Sequence, residues 1–319
     1  MIKNEYISYS FYKGFFDLIN KFAPVFIILA AILWGIDGIV LRPSLNTLPV
    51  TIVVFIESII VSVYLFPILL KDFAILKKFD LYDWLSFIGV AIFGGVIGIL
   101  AITKALFYVN YVNLSIVILI QKLQPIFAIL FAIILLKEKL QKEFLLWAAL
   151  AISGAYIMAF GFTIPEIYSG DKIFMAAAYS LLAAFSFGLS TVLSKRALLH
   201  SNFKIATYIR YLLSTIFMFV IVVYYNELNL VNTVSHSQTI TFFLIAFTTG
   251  GPAMFLYYYG LKHTSASSST ILELAFPLTA ILLEYFLRGN ILSIVQWFGV
   301  LILFVSITKV SKLRGSKNI

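Results

Sequence analysis

The chain is predicted to be an all-α, polytopic membrane protein, with ten transmembrane helices arranged as two inverted five-helix repeats. Three observations predict it. Of its 319 residues 62% are hydrophobic and only 12% charged, with a mean hydropathy of +1.03; an ordinary soluble chain is about half apolar and about a quarter charged. Apolar runs of roughly twenty residues, the length a helix needs to cross hydrocarbon, recur throughout, without the short alternating segments of a membrane barrel. The chain also resembles itself when displaced by 152 or 153 positions.

Hydropathy places ten spans, at 22–41, 48–70, 84–108, 113–136, 144–162, 172–193, 204–225, 239–261, 266–287 and 291–310. Residues 1–21 read as a cytoplasmic tail and not a signal peptide, because Lys3, Glu5, Lys13 and Asp17 leave no apolar core. The first five-helix repeat is then 22–162, the second 172–310, and 311–319 a second cytoplasmic tail. Basic residues stay in the cytoplasm. With the N-terminus inside, seventeen of the 23 Lys and Arg fall on the inner side, against Arg42, Lys172 and Arg288 outside and Lys104, Lys122 and Arg210 within spans. Both termini are therefore expected in the cytoplasm. The net charge of +9 is spread over every inner loop, so it reads as topology and attraction to anionic lipid, with no nucleic-acid partner.

The repeat is carried by particular residues. Displaced by 153, the stretch ILAAILWGIDGIVL ending at Leu41 lies over LLAAFSFGLSTVLS ending at Ser194, so that Ala31 and Gly35 meet Ala184 and Gly188. Displaced by 152, Ser115, Pro125 and Ala128 meet Ser267, Pro277 and Ala280, and Gly98 meets Gly250. Five spans per half is odd, so the second half crosses in the opposite sense. The small-residue pairs Ala31/Gly35, Gly94/Gly98 and Ala184/Gly188 mark close helix packing. Pro125 and Pro277 each sit inside an apolar span and mark helix breaks, which in membrane carriers expose polar backbone to a solute path.

AAILWG early in the first half, LQPIFAILFAIILLKEKL, a following span ending in SGAYIM, and the paired five-span halves together resemble the drug/metabolite transporter superfamily, and its EamA-type members in particular. That resemblance covers nearly the whole chain. It implies a ten-helix secondary transporter working by alternating access on small solutes, seated in a bacterial inner membrane. The chain departs from the family pattern in three places. Lys137-Glu138 stands where a Gly-Glu pair is usual, the second copy reads Gly289-Asn290, and Glu57 stands where arginine is common.

A charge at the bilayer centre costs roughly 3 kcal/mol even on lenient scales, which makes each one a site hypothesis. Asp37, Lys104 and Glu284 lie near span ends and are expected to snorkel. Glu57, Lys122, Arg210 and Glu273 are deeper, and depth along the spans suggests two ion pairs, Glu57 with Lys122 and Arg210 with Glu273, either on the transport path or as static struts. Gln121 and Gln124 would add amide hydrogen bonds, and Trp34, Tyr257 and Tyr258 would supply aromatic walls, with Tyr259 beside them. The substrate reading is an amino acid or other charged or zwitterionic metabolite, with protons as a coupling ion accepted at Glu273. Exchange of a nucleotide-type solute such as S-adenosylmethionine is the alternative.

A membrane-embedded enzyme or channel is the rival class. There is no HExxH or GxSxG motif, and His200, His236 and His263 lie in loops or at span ends, so neither a catalytic residue, a metal nor a cofactor is expected. Cysteine is absent, which excludes disulfides and thiolate metal sites. The expected partners are the lipid bilayer and a small-molecule substrate, and nothing in the sequence sets an oligomeric state.

Overall fold

The computed structural model describes residues 22–108, 117, 120–163, 171–289 and 291–313. Ten helical segments follow one another: α1 (Ala23–Ile36), α2 (Val50–Asp72), α3 (Leu81–Gly89, a π segment Val90–Ile97, then Gly98–Tyr108), α4 (Gln124–Leu136), α5 (Lys142–Phe160), α6 (Asp171–Ala197), α7 (Phe203–Tyr224), α8 (His236–Ile245, a π segment Ala246–Gly250, then Gly251–His263), α9 (Ala266–Leu272 and Ala275–Arg288) and α10 (Ile294–Lys312). Nine of these stretches are long and apolar enough to span a membrane, and α4 is a shorter apolar helix as described. The N-terminal part of the fourth expected span lies largely outside the described residues, as do the expected tail at 1–21 and positions 314–319 of the expected tail at 311–319, of which 311 and 312 instead continue α10.

Polar residues set the helix starts. Asp80 with Asp83, Ser235 with Gln238, and Ser293 with Gln296 form reciprocal capping boxes, and Asn202 and Ser265 each accept a backbone N–H of the helix that follows. Such caps satisfy helix-end donors that hydrocarbon would leave bare. Outward-facing positions carry the exposed side chains of Val63, Leu70, Val220 and Phe304, the surface expected of helices that face lipid chains.

The packing is that of a molecule related to itself. α1 packs on α8 and α9, and α6 packs on α3 and α4; α2 packs on α7, and α5 on α10. Exchanging α1–α5 with α6–α10 leaves this set of partners unchanged, as a pseudo-twofold between the halves requires. Close contacts obey the same exchange. A Cβ on Gly35 would stand 3.1 Å from the Phe276 carbonyl oxygen, and one on Gly188 would stand 3.0 Å from that of Gln124, residues that are themselves 152 positions apart. Ser62 Oγ lies 3.0 Å from Thr215 Oγ1, 153 positions on. A residue touching its own repeat mate sits beside the axis.

Small residues let these helices approach. Ala31 and Ala184 are fully buried. Gly98 leaves room for the Phe187 ring of α6, 2.7 Å from where a Cβ would be, and Gly94 faces Ser190 on the same helix. α5 and α10 meet through glycine as well: a Cβ on Gly154 would stand 2.8 Å from the Leu303 backbone nitrogen, and Gly299 abuts the backbone at Met158.

The last turns of α4 and α9 are also equivalent. Lys137 caps α4 in the left-handed region at φ 54°, and Gly289, 152 positions later, caps α9 at φ 68°. Glu138, directly after the α4 cap, reaches the start of α9. Its carboxylate accepts from the backbone N–H groups of Ala266 and Ser267 (2.7 and 3.1 Å) and from the Ser267 hydroxyl (2.6 Å), where the helix dipole favours negative charge.

Candidate functional site

α9 is interrupted at Glu273 and Leu274, one turn ahead of Pro277, and the chain before α4 turns at Lys122 and Leu123, just ahead of Pro125. Proline lacks an N–H and its ring crowds the carbonyl four residues earlier. Those carbonyls belong to Glu273 and Gln121, which are repeat mates. In α9 the freed oxygen accepts instead from Phe276 N–H at 2.9 Å, a tighter i to i+3 turn.

Around the α9 break four helices from both halves converge on one carboxylate. Glu273 Oε1 accepts from the Tyr257 hydroxyl at 2.7 Å and from Thr191 Oγ1 at 3.4 Å, and Oε2 accepts from the Gln124 amide at 3.1 Å. Tyr257 also lies 3.2 Å from Thr191 Oγ1. The indole of Trp34, on α1, faces the Tyr257 ring at 5.2 Å between centroids. Beside it, Arg210 Nη1 donates to the Tyr258 hydroxyl at 3.3 Å with its guanidinium 5.9 Å from that ring, and the same hydroxyl bonds Ser194 Oγ at 2.9 Å.

The expected Arg210–Glu273 ion pair is therefore not formed. Tyr257 and Tyr258, successive residues on α8, take one charge each, and their rings are 5.8 Å apart. The acid is held by three neutral donors and the base by a phenol oxygen and a π face. Tyr259 turns away, its ring edge-on to Phe26 and Phe203.

The second expected pair is also absent. Glu57 Oε2 lies 3.3 Å from Arg42 Nη2, which in turn holds Asp37 Oδ2 at 2.6 Å, with Arg42 Nε at 2.9 Å from the same oxygen. The reason is local geometry. Residues 37–41 form a π turn, and a π turn aligns side chains five apart, so Asp37 and Arg42 come together; a 3₁₀ turn, Arg42–Leu45, then keeps the guanidinium over α2. Asp37 is thus buried and bonded, where snorkelling was expected. Lys104 is exposed, its ammonium 5.7 Å from the centre of the Tyr179 ring.

Lys122 has neither a hydrogen bond nor an ion pair among the described residues although it is only 8% exposed, and the Gln121 amide nitrogen is buried without an acceptor. Two donors at the α4 break are left open, beside Gln124, which is taken by Glu273. Reasoning on sequence missed Thr191, Ser194 and Arg42. Arg42 and Lys195 are both basic at matched repeat positions, a signal that could have drawn attention to Arg42; for Thr191 there was none.

At the opposite end of the bundle, Asp80, Asp83 and His200 bring potential metal-ligand atoms within 4.8 Å of one another. The buried Asp83 carboxylate is already engaged, by the Asp80 N–H at 3.1 Å and His200 Nδ1 at 3.0 Å. Its geometry is accounted for by helix capping.

Sequence and fold comparisons agree with this architecture. The EamA-like transporter family matches residues 21–160 and again 174–311. A curated relative, the riboflavin transporter ImpX of Fusobacterium nucleatum subsp. nucleatum, is 43% identical over 293 residues, which is 90% of this chain and 96% of the relative. A solved crystal structure of a protein only 15% identical superposes with a TM-score of 0.72 over 92% of this chain and 97% of the other, a likeness of fold alone. Apolar helices and these matches make the chain an integral membrane protein that transports a small molecule. It belongs to the EamA-like transporter family.

Proposed function

We propose that the chain carries riboflavin or a closely related flavin, by alternating access between two five-helix halves, 22–162 and 172–310, with the lysine-rich end and both termini in the cytoplasm of a bacterial inner membrane. The observation that carries the reading is the Trp34 ring set against Tyr257 at a helix break whose carboxylate, Glu273, is held by neutral hydrogen-bonding side chains. A flavin is a flat, uncharged tricycle with an apolar benzenoid edge and a pyrimidinedione edge bearing two carbonyls and an imide N–H. Trp34, only partly buried, offers an aromatic face for the tricycle, backed by the buried ring of Tyr257. The open donors of Gln121 and Lys122 suit the carbonyls, and Glu273, with acceptor capacity beyond its three donors, suits the imide. The 43% identity to a transporter named for riboflavin supports the same solute.

The fit is poorer for a zwitterionic amino acid or S-adenosylmethionine. Such a solute brings a full positive charge that needs an unshared carboxylate; Glu273 already accepts from Tyr257, Thr191 and Gln124, which leaves room for one neutral imide N–H.

Purified protein should quench flavin fluorescence, and proteoliposomes loaded with unlabelled riboflavin should show counterflow of the labelled compound. Stacking on one aromatic side chain contributes about 1–3 kcal/mol, so Trp34→Ala should weaken binding by roughly 5- to 150-fold. Lumiflavin should compete, while amino acids and S-adenosylmethionine should not. Counterflow of a labelled amino acid or of labelled S-adenosylmethionine, with no response to flavin, would replace the substrate and leave the fold assignment standing.

A further inference from the structure

We propose that Asp37, Arg42 and Glu57 form a binding site for a monovalent coupling cation, a proton or a sodium ion, separate from the solute site at the α9 break. Two carboxylates share one guanidinium, which leaves the cluster one negative charge in excess. Each acid gives one oxygen to Arg42. The other oxygens, Asp37 Oδ1 and Glu57 Oε1, are buried and have no partner. The Asp37 side chain is only 9% exposed and that of Glu57 15%, whereas Arg42 is 40% exposed, so the cluster touches solvent through its cation. Buried carboxylate oxygens without a donor, carrying a charge without a counterion, are the two deficits that a bound cation removes together.

The cluster also has a mechanical link to the solute site. Asp37 opens the π turn that ends α1, one turn after Trp34, whose ring meets Tyr257. On the same turn Gly38 lies against the Phe276 ring of α9, beyond the break that holds Glu273. π segments in helices recur at functional positions. Filling or emptying the cluster therefore acts on the helix that carries one wall of the solute site. Other ionisable groups on the helices packed around it are Tyr211 on α7, Glu227 in the connection to α8, where it accepts from Thr51, and Glu284 on α9.

This inference rests on the transporter assignment, and only its uptake arm rests on flavin as the solute. The first experiment needs no solute. Thermal unfolding in detergent at constant ionic strength, with sodium replaced by N-methylglucamine, and separately at pH 5.5 against pH 8 without sodium, should show one of the two cations raising the melting temperature of the wild type by about 3 °C or more. Glu57→Gln and Asp37→Asn each remove the excess charge and leave Arg42 one acid, and each should abolish that response. Glu57→Asp should keep it. In proteoliposomes the same cation gradient should drive riboflavin accumulation, and in E57Q the accumulation should fall at least 10-fold relative to counterflow in the same vesicles. A wild type indifferent to both cations overturns the site, as does a response of full size in E57Q or D37N. A cation response with no flavin movement would retain the site and refute the flavin.

Discussion

Arg42 and Lys195 occupy the same place in the two halves, 153 positions apart, and hold opposite ends of the bundle by different chemistry. Arg42 is bound by side-chain carboxylates. Lys195, 8% exposed, donates to the backbone carbonyls of Leu261 and Lys262 at 2.9 Å each, at the C-terminus of α8 where the helix dipole presents negative charge. Lys262 then donates to the Ser201 carbonyl at 2.6 Å, which ties α8 to the turn between α6 and α7. Carbonyls cannot be neutralised or exchanged, so the Lys195 end is a fixed clasp. Carboxylates can be, so the Arg42 end can change its charge. Two copies of one ancestral position have thus diverged into a fastener and an adjustable site.

The largest test of this contrast is removal of each cation. Arg42→Gln leaves two buried acids with no counterion and should destabilise the protein by about 3 kcal/mol, taken at the low end because Arg42 is partly wetted. Adding D37N and E57Q to R42Q should restore most of the loss. Lys195→Met removes charged hydrogen bonds to carbonyls, and about 2 kcal/mol is expected; Glu138, the acid within its electrostatic reach, keeps its donors at Ala266 and Ser267, so Glu138→Gln should not rescue it. Unfolding in detergent measures both, and equal rescue at the two ends would erase the distinction.

The next test concerns helix contact across the repeat. A Cβ on Gly188 meets the backbone nitrogen of Ala128 at 2.9 Å and the Gln124 carbonyl oxygen at 3.0 Å; on Gly35 it meets Thr279 Cβ at 2.8 Å and the Phe276 carbonyl oxygen at 3.1 Å. No side-chain rotation moves a Cβ or a carbonyl, so at both positions a helix must shift. Gly188→Ala and Gly35→Ala should therefore each lose about 2 kcal/mol, within the usual range for overpacking. Melting temperatures that fall at one position and not at the other would contradict the matched packing of the two halves.

The caps of α4 and α9 differ in one residue and predict opposite signs. Lys137 holds a left-handed conformation that glycine adopts without strain, so Lys137→Gly should stabilise by about 1 kcal/mol, while Gly289→Ala should destabilise by a similar amount. The smallest effect is on the axis. A double-mutant cycle with Ser62→Ala and Thr215→Ala should give a coupling of about 0.5–1 kcal/mol.

The ten helices and their division into halves were legible because hydropathy and self-similarity report burial and repetition directly. The span ends were less so. Hydropathy ends the sixth span at 193 and the first at 41, each just short of a basic residue, whereas α6 continues through Lys195 and Arg196 to Ala197, and the chain after α1 winds on through Arg42. Counting Arg42 as an outer-loop residue removed it from the list of partners for Glu57. Depth along a helix was readable, but facing was not: a π turn adds a residue per turn and rotates everything after it by about 100°. The aromatic residues and Glu273 were singled out by type and position. That Tyr257 would meet the acid and Tyr258 the base depends on which way two neighbours point, and no spacing rule contains that.

The glycine seam between α5 and α10 bears on how the chain is made. Gly154 and Gly299 are separated by 145 positions, and α10 is the last of the ten helices to be synthesised. At about 5–20 residues per second, α5 waits roughly 10–30 s with its smooth face turned to lipid before its partner leaves the ribosome. During that interval α1–α4 have met their own partners in the second half one after another, and the α5 face is the last to be covered. Closure of that seam is therefore a late assembly step, and a lesion at Gly299 would show itself as loss of protein during biogenesis before it showed as loss of transport.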